Sequence, residues 1–287
     1  MNRAEPTPED RLKTNPTGDA ETFIEKFQFE PLAADKLDVM QALSNDETPS
    51  TKVVEICHRD PVIAARIIGL ANGPHYAVRS PVERVHDAVV RVLGLDTTRA
   101  VVLGMILSSN LPSPSCLGFS KDQFWIESVH RAELAQLVAS HADPSGALNA
   151  RAYLGGLLRS LGVFALAAFE PRIVESLIAE QALDAFEERL TQAFGFEPAG
   201  LTAVILERWG VPDVVRKAAS PFSSSIAARC VSLAETWRNA GDETCEAMQQ
   251  AQQDLADYGY TASLEQLVSE REEQLERARA IASGISR

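Results

Sequence analysis

The stretch "ARAYLGGLLRSLGVFALAAF", residues 150–169, is apolar almost all the way round a helical wheel. Such a helix has no wet face, so other elements must surround it. It predicts a central, buried helix inside a shell of partners. The rest of the chain is punctuated to supply them. Asp60-Pro61 reads as a helix start, because Asp accepts from free backbone N–H groups and Pro fits the first turn. Ile63, Ile67 and Leu70 then share one face, and Asn72-Gly73-Pro74 reads as the stop. Ser80-Pro81 reads as the next start, with Val82, Val85, Val89 and Val92 as its stripe and Gly94 as its end. Asp96 reads as the cap of a further helix carrying Val101, Val102, Met105 and Ile106. "FWIESVHRAELAQLVASHA" (124–142) turns Leu134, Leu137 and Val138 inward. "LTAVILERWGVP" is a helix halted by Gly210 and Pro212. β-branched pairs such as Val89-Val90 sit inside helical periods, so no strand is expected. The fold class is all-α: a multi-helix bundle of ordinary helices and short loops.

The polar residues 1–18 read as a mobile tail. The Pro/Ser/Gly-rich "LPSPSCLGFS" (111–120) divides a helical domain over 19–235 into lobes of about 19–110 and 119–235. Residues 236–287 form a C-terminal helical arm rich in Gln, Glu, Ala and Arg. There Leu264, Val268, Leu275, Ala278 and Ala282 follow a loose heptad interrupted by Arg271. This fits either a coiled-coil-like dimerisation arm or a helix folded back on the domain.

The net charge of −13 works against nucleic acid, whose binding draws its affinity from Lys and Arg meeting phosphates. It works against anionic membrane surfaces for the same reason. No apolar run is expected to span a membrane, which takes about 20 residues, and the first residues lack the apolar core of a signal peptide. The four cysteines, Cys57, Cys116, Cys230 and Cys245, form no C-x-x-C pair and read as reduced thiols of a cytoplasmic protein.

Few constellations carry chemistry. Glu55/His58, Glu83/His86 and Glu127/His130 each stand in a Glu-x-x-His frame, the spacing used by di-iron bundles. Those sites need further inward carboxylates that are not evident here, so surface Glu and His at a common spacing is the plainer reading. Cys57 and His58 point about 100° apart on a helix and cannot act together, so Cys57 reads as core. No G-x-S-x-G elbow or P-loop occurs. Gly155 and Gly156 read as close-packing positions. Trp125 and Trp209 read as core.

Four segments in order resemble the HDOD family, helical regulatory domains of bacterial signalling proteins related to the HD-type metal phosphohydrolases. The first, "ICHRDPVIAARIIGLANGPHYAVRSPVERVHDAVVRVLGLDTTRAVVLG", places Asp60, Pro61, Leu70, Ala71, Asn72, Leu93 and Gly94 at family positions. The others are "FWIESVHRAELAQLVA", "GGLLRSLGVFAL" with Gly162, and "FGFEPAGLTAVILERWGVP" with Trp209, Gly210 and Pro212. The resemblance runs over about residues 24–220. It implies an HD-like bundle with a C-terminal helical extension.

The departures carry the functional expectation. Catalytic HD enzymes hold metal ions with histidines and a His-Asp pair. At those positions this chain has Glu127, Arg159, Ser160 and Pro198. Ser160 is a poor ligand, Pro198 offers no side-chain donor, and Arg159 places a fixed positive charge where a cation would sit. The resemblance therefore implies a pseudo-enzyme with no catalytic residue, no metal and no cofactor. An Arg159–Glu127 ion pair is expected in place of the metal. The expected function is a regulatory module working through contact with signalling proteins. It would make no use of nucleic acid or membrane. A small molecule in the degenerate pocket and a homodimer through the C-terminal helix are further expectations. Two alternatives stand beside it. One is an active phosphohydrolase of nucleotides or cyclic dinucleotides. The other is a DNA-binding regulator that uses 82–93, with Arg84 and Arg91, as recognition helix; Glu83 and Asp87 make that a poor charge balance.

Overall fold

The computed structural model describes residues 18–27, 32–45, 47–179, 186–242 and 244–286. The expected tail lies outside the described residues apart from Gly18. Among the described residues there is no strand. The chain runs through α1 (Gly18–Lys26), α2 (Ala34–Leu43), α3 (Ser50–Arg59), α4 (Pro61–Ala71), α5 (Val85–Asp87) and α6 (Leu95–Asn110). It continues with α7 (Lys121–Ala142), α8 (Asn149–Leu158), α9 (Leu161–Phe169), α10 (Pro171–Ala179) and α11 (Phe186–Phe194). It closes with α12 (Pro198–Arg208), α13 (Asp213–Ala219), α14 (Ile226–Asn239), α15 (Glu246–Ala256) and α16 (Leu264–Ser286). The fold is the expected all-α bundle.

Punctuation sets most boundaries. Asp60 Oδ1 accepts from the Val62 and Ile63 amides at 2.7 and 3.3 Å, and Pro61 opens α4. Asn72 closes it. Two boundaries differ from the sequence reading. Pro81 starts no helix: residues 81–84 have no regular structure, α5 begins at Val85, and it passes into a π-helical turn, Ala88–Leu93. Asp96 is not a cap: Gly94 precedes α6, and Asp96 instead accepts a hydrogen bond from Gln136 at 2.7 Å.

The apolar stretch is central, but it is two helices. α8 ends at Leu158 and α9 starts at Leu161, with Arg159 and Ser160 at the joint. By length and composition Asn149–Phe169 is apolar enough to cross a membrane, contrary to expectation; 78% of that span is buried inside the bundle. Close packing explains its glycines. A Cβ on Gly155 would lie 2.8 Å from Ala218 of α13, and one on Gly156 2.8 Å from Ala132 of α7.

α7 is the axis, packed on α8, α14 and α16. A large core gathers Trp125, Phe164 and Trp209 with the first lobe. A second core surrounds Trp237, Met248 and Tyr260, where Trp237 Nε1 donates to the Leu267 carbonyl at 3.2 Å. α16 folds back: Leu267, Ala278, Ile281, Ala282 and Ile285 are buried, and it lies along α7, α6 and α4. Of the loose heptad, Ala278 and Ala282 are buried and Leu264 and Val268 pack half-buried on the second core, so most of it faces the domain itself.

Candidate functional site

The α8–α9 joint puts Arg159 and Ser160 against α7 and α14. Arg131 of α7 is 3% exposed, and its Nη1 donates to Ser160 Oγ at 2.8 Å. The Arg131 guanidinium also forms an ion pair with Glu235 of α14. Glu235 accepts in turn from Arg238 Nη2 at 2.7 Å. Arg238 Nη1 stands 4.0 Å from Glu127 Oε2, and Gln123 Nε2 donates to Glu127 Oε1 at 3.0 Å. Arg159 Nη2 donates to Ser232 Oγ of α14 at 3.2 Å. These contacts tie α7, α14 and the α8–α9 joint together.

Pro198 opens α12 beside the same joint. A Cβ on Gly162 would meet the Pro198 carbonyl oxygen at 2.0 Å, so only glycine lets the two helix starts touch. The Gly162 amide donates to Thr202 Oγ1 at 2.8 Å, and that hydroxyl donates to the Pro198 and Arg159 carbonyls at 3.1 and 3.2 Å.

Arg159 and Glu127 do not pair. Each reaches α14, Arg159 through Ser232 and Glu127 through Arg238. The expected direct brace is replaced by a relay through Arg131, Glu235 and Arg238. Sequence reasoning missed those three residues. The signal was there: Arg131 stands four residues after Glu127, and Ser232, Glu235 and Arg238 recur every three residues on α14, a polar stripe among Cys230, Val231, Ala234 and Trp237.

The electrostatics follow from burial and pairing. Burial works against ionising Glu235, but Arg131 and Arg238 outweigh it and hold the carboxyl at about 2. Burial, and then the positive charge of Arg131, press the Arg159 pKa downward. Two guanidiniums therefore occupy the place that the HD resemblance gives to metal. A cation there would meet fixed like charge, with Ser160 already engaged by Arg131 and no side-chain donor on Pro198. Among the described residues, no three of His, Cys, Asp and Glu converge as a metal site. The residues do not fit the metal that the related hydrolases use.

The three Glu-x-x-His frames are separate. Glu55 pairs with Lys52 and Arg59 on an exposed face, and His58, Glu83 and His86 are also exposed. His130 is buried, its Nε2 3.0 Å from the Arg271 carbonyl. Burial leads the effects that lower its pKa to about 4, so it is neutral at pH 7. Cys57 and both expected core tryptophans are buried. Two open cavities lie away from the network, one along residues 78–92 and one between α4 and α16.

The sequence pattern of the HDOD domain matches residues 31–221. The chain belongs to the HDOD family. Among solved structures this HDOD chain is similar to a proposed signal transduction protein from Marinobacter aquaeolei VT8, at 23% identity and TM-score 0.72. The match covers 97% of this chain and 66% of that one, so the chain spans just under two thirds of that protein's length. It is also similar to an HDOD domain protein of unknown function from Geobacter sulfurreducens, at 18% identity and TM-score 0.70, covering 95% and 98% of the two chains. A proposed phosphohydrolase from Shewanella amazonensis SB2B shares 20% identity and TM-score 0.68, covering 94% and 99%. A search of curated proteins gave no match. The chain is thus an HDOD domain whose described residues gather no His, Cys, Asp and Glu cluster for a metal ion.

Proposed function

We propose that the chain is a cytoplasmic signalling module that acts through contact with other signalling proteins, and that Glu127, Arg159, Ser160 and Pro198 mark its former metal centre. One observation supports this reading above the others: the ion-paired relay Arg131–Glu235–Arg238 engages Ser160 and reaches Glu127. A scaffold that keeps the helix packing of a hydrolase and replaces its cation with guanidiniums retains shape without the chemistry. The similarity to a proposed signal transduction protein supports the direction. The buried free thiols of Cys57, Cys116 and Cys230 fit a reducing compartment. A homodimer through α16 would use its outer, charged face, since the apolar face is buried within the domain. The DNA-binding alternative loses its support, because 82–93 runs from unassigned backbone through a three-residue α turn into a π-helical turn rather than forming a regular recognition helix.

The test has two arms. The purified chain, supplied with Mn²⁺ or Fe²⁺, is assayed on nucleotide and cyclic-dinucleotide phosphoesters, and the tagged chain is recovered from its host with any protein bound. The expected result is no turnover and a stoichiometric signalling partner. Metal-dependent turnover would overturn the reading.

A further inference from the structure

The segment that failed as a helix has an unusual construction of its own. Ala77 sits at φ 44° and ψ 41°, the one described non-glycine residue in the left-handed region. Such strain persists only where surrounding structure enforces it, and it concentrates at functional sites. Beyond it, residues 81–84 form a strap without regular structure, extended at Arg84. The strap is stapled by a side chain: Asn72 Oδ1 accepts from the Val82 amide and Asn72 Nδ2 donates to the Val82 carbonyl, both at 2.8 Å. The strap then enters the π-helical turn Ala88–Leu93, a form that recurs at functional sites.

Strap and π turn enclose an open cavity of about 380 Å³, within the range of small-molecule sites. Arg79, Arg84 and Arg91 line it, with Ser80 among the polar groups and Val78, Val82 and Val92 as apolar wall. Arg91 is paired with Asp87 at 3.4 Å. Arg79 and Arg84 are exposed and have no hydrogen-bond or ion-pair partner among the described residues. The opposing charge left in the cavity is Glu83. Two uncommitted guanidiniums in a chain of net charge −13 form a local cationic site, and paired N–H donors match phosphate oxygens.

We propose that this cavity binds a small phosphorylated metabolite of about mononucleotide size, with Arg79 and Arg84 on its phosphate and the valine wall against its organic part. The site is separate from the Arg159 centre and does not depend on the signalling reading. It gives the domain a place for a chemical input.

The test is titration of the full chain with inorganic pyrophosphate, followed by amide NMR. Shifts are expected to concentrate at Val78–Arg84 and Arg91. The double variant R79A/R84A should weaken binding about tenfold or more, the loss of charge-assisted contacts. E83Q should tighten it about threefold by removing the repelling carboxylate. All three positions are exposed, and unchanged melting of the variants confirms that they fold. Shifts centred elsewhere, unchanged affinity in R79A/R84A, or weaker binding by E83Q would overturn the proposal. So would a DNA duplex that shifts the same amides at lower phosphate concentration than pyrophosphate.

Discussion

The Arg159 centre and the Arg79/Arg84 cavity both bring arginines together, and they differ in what those arginines face. At the first, Arg131 is buried and engaged by a carboxylate of α14 and a hydroxyl of the α8–α9 joint. At the second, the guanidiniums are exposed and uncommitted. A buried, paired arginine is a fixed part of the scaffold. Removing it strands its partner's charge, which is costly. An exposed, unpaired arginine contributes little to folding and is available to a ligand. The two regions should therefore respond oppositely to the same kind of substitution.

The largest effect is expected from Arg131→Ala. It leaves Glu235 without its interhelical cation and Ser160 without its donor, and should cost about 3–5 kcal/mol in urea unfolding. A cost near zero would remove the distinction between the regions. Gly162→Ala comes next, since its Cβ would strike the Pro198 carbonyl. About 3 kcal/mol is expected in the same measurement, the upper range for overpacking.

How much of this was legible follows from where each signal sits. Asp60, Pro61 and Asn72 were readable because caps and stops act through local hydrogen bonds. Gly162 was readable only as part of the resemblance; the backbone contact that requires glycine comes from α12, far along the chain. The break at Arg159-Ser160 escaped notice because both flanks carry unbroken helical periodicity and the interruption lies in tertiary contacts. The strap escaped because Ser80-Pro81 is a sound helix start by local rules. The Asn72 staple, ten residues away, ties the Val82 backbone down instead. Arg131, Glu235 and Arg238 lie on two helices about a hundred residues apart in sequence, and only the packing of α14 on α7 joins them.

A third prediction uses pH. The folded pKa of His130 is about 4 against an ordinary 6.5. Between those values the unfolded chain takes up a proton that the folded chain does not. Stability should therefore be full above about pH 6.5 and fall as pH drops toward 4. His130 faces Arg271, Arg238 and Glu235, so the loss bears on the second core and α16. Glu235, at about 2 against 4.5, adds a second loss as pH falls through that lower window. Glu133 works in the opposite sense: burial raises its pKa, with Arg277 opposing. Melting temperatures from pH 8 to pH 4 check the sign, and His130→Gln should flatten the upper part of the fall.

Asn72→Ala should be smaller, about 1–2 kcal/mol for its three side-chain hydrogen bonds at an exposed position. Its mark is local: hydrogen exchange at the Val82 amide should accelerate while amides of α7 stay protected. The smallest effect belongs to Arg79→Ala and Arg84→Ala, each within about 0.5 kcal/mol of the unaltered chain. A large loss at either would mean that the cavity's arginines are structural after all, and the contrast with Arg131 would fail.

Guanidinium–carboxylate pairs hold the α7–α14 centre together at the α8–α9 joint. The most direct measurement is elemental analysis of the protein purified from Mn- and Fe-supplemented culture, paired with melting before and after exhaustive chelation. No stoichiometric metal and an unchanged melting temperature are expected. One or more equivalents of bound metal, with a lower melting temperature once it is stripped, would contradict it.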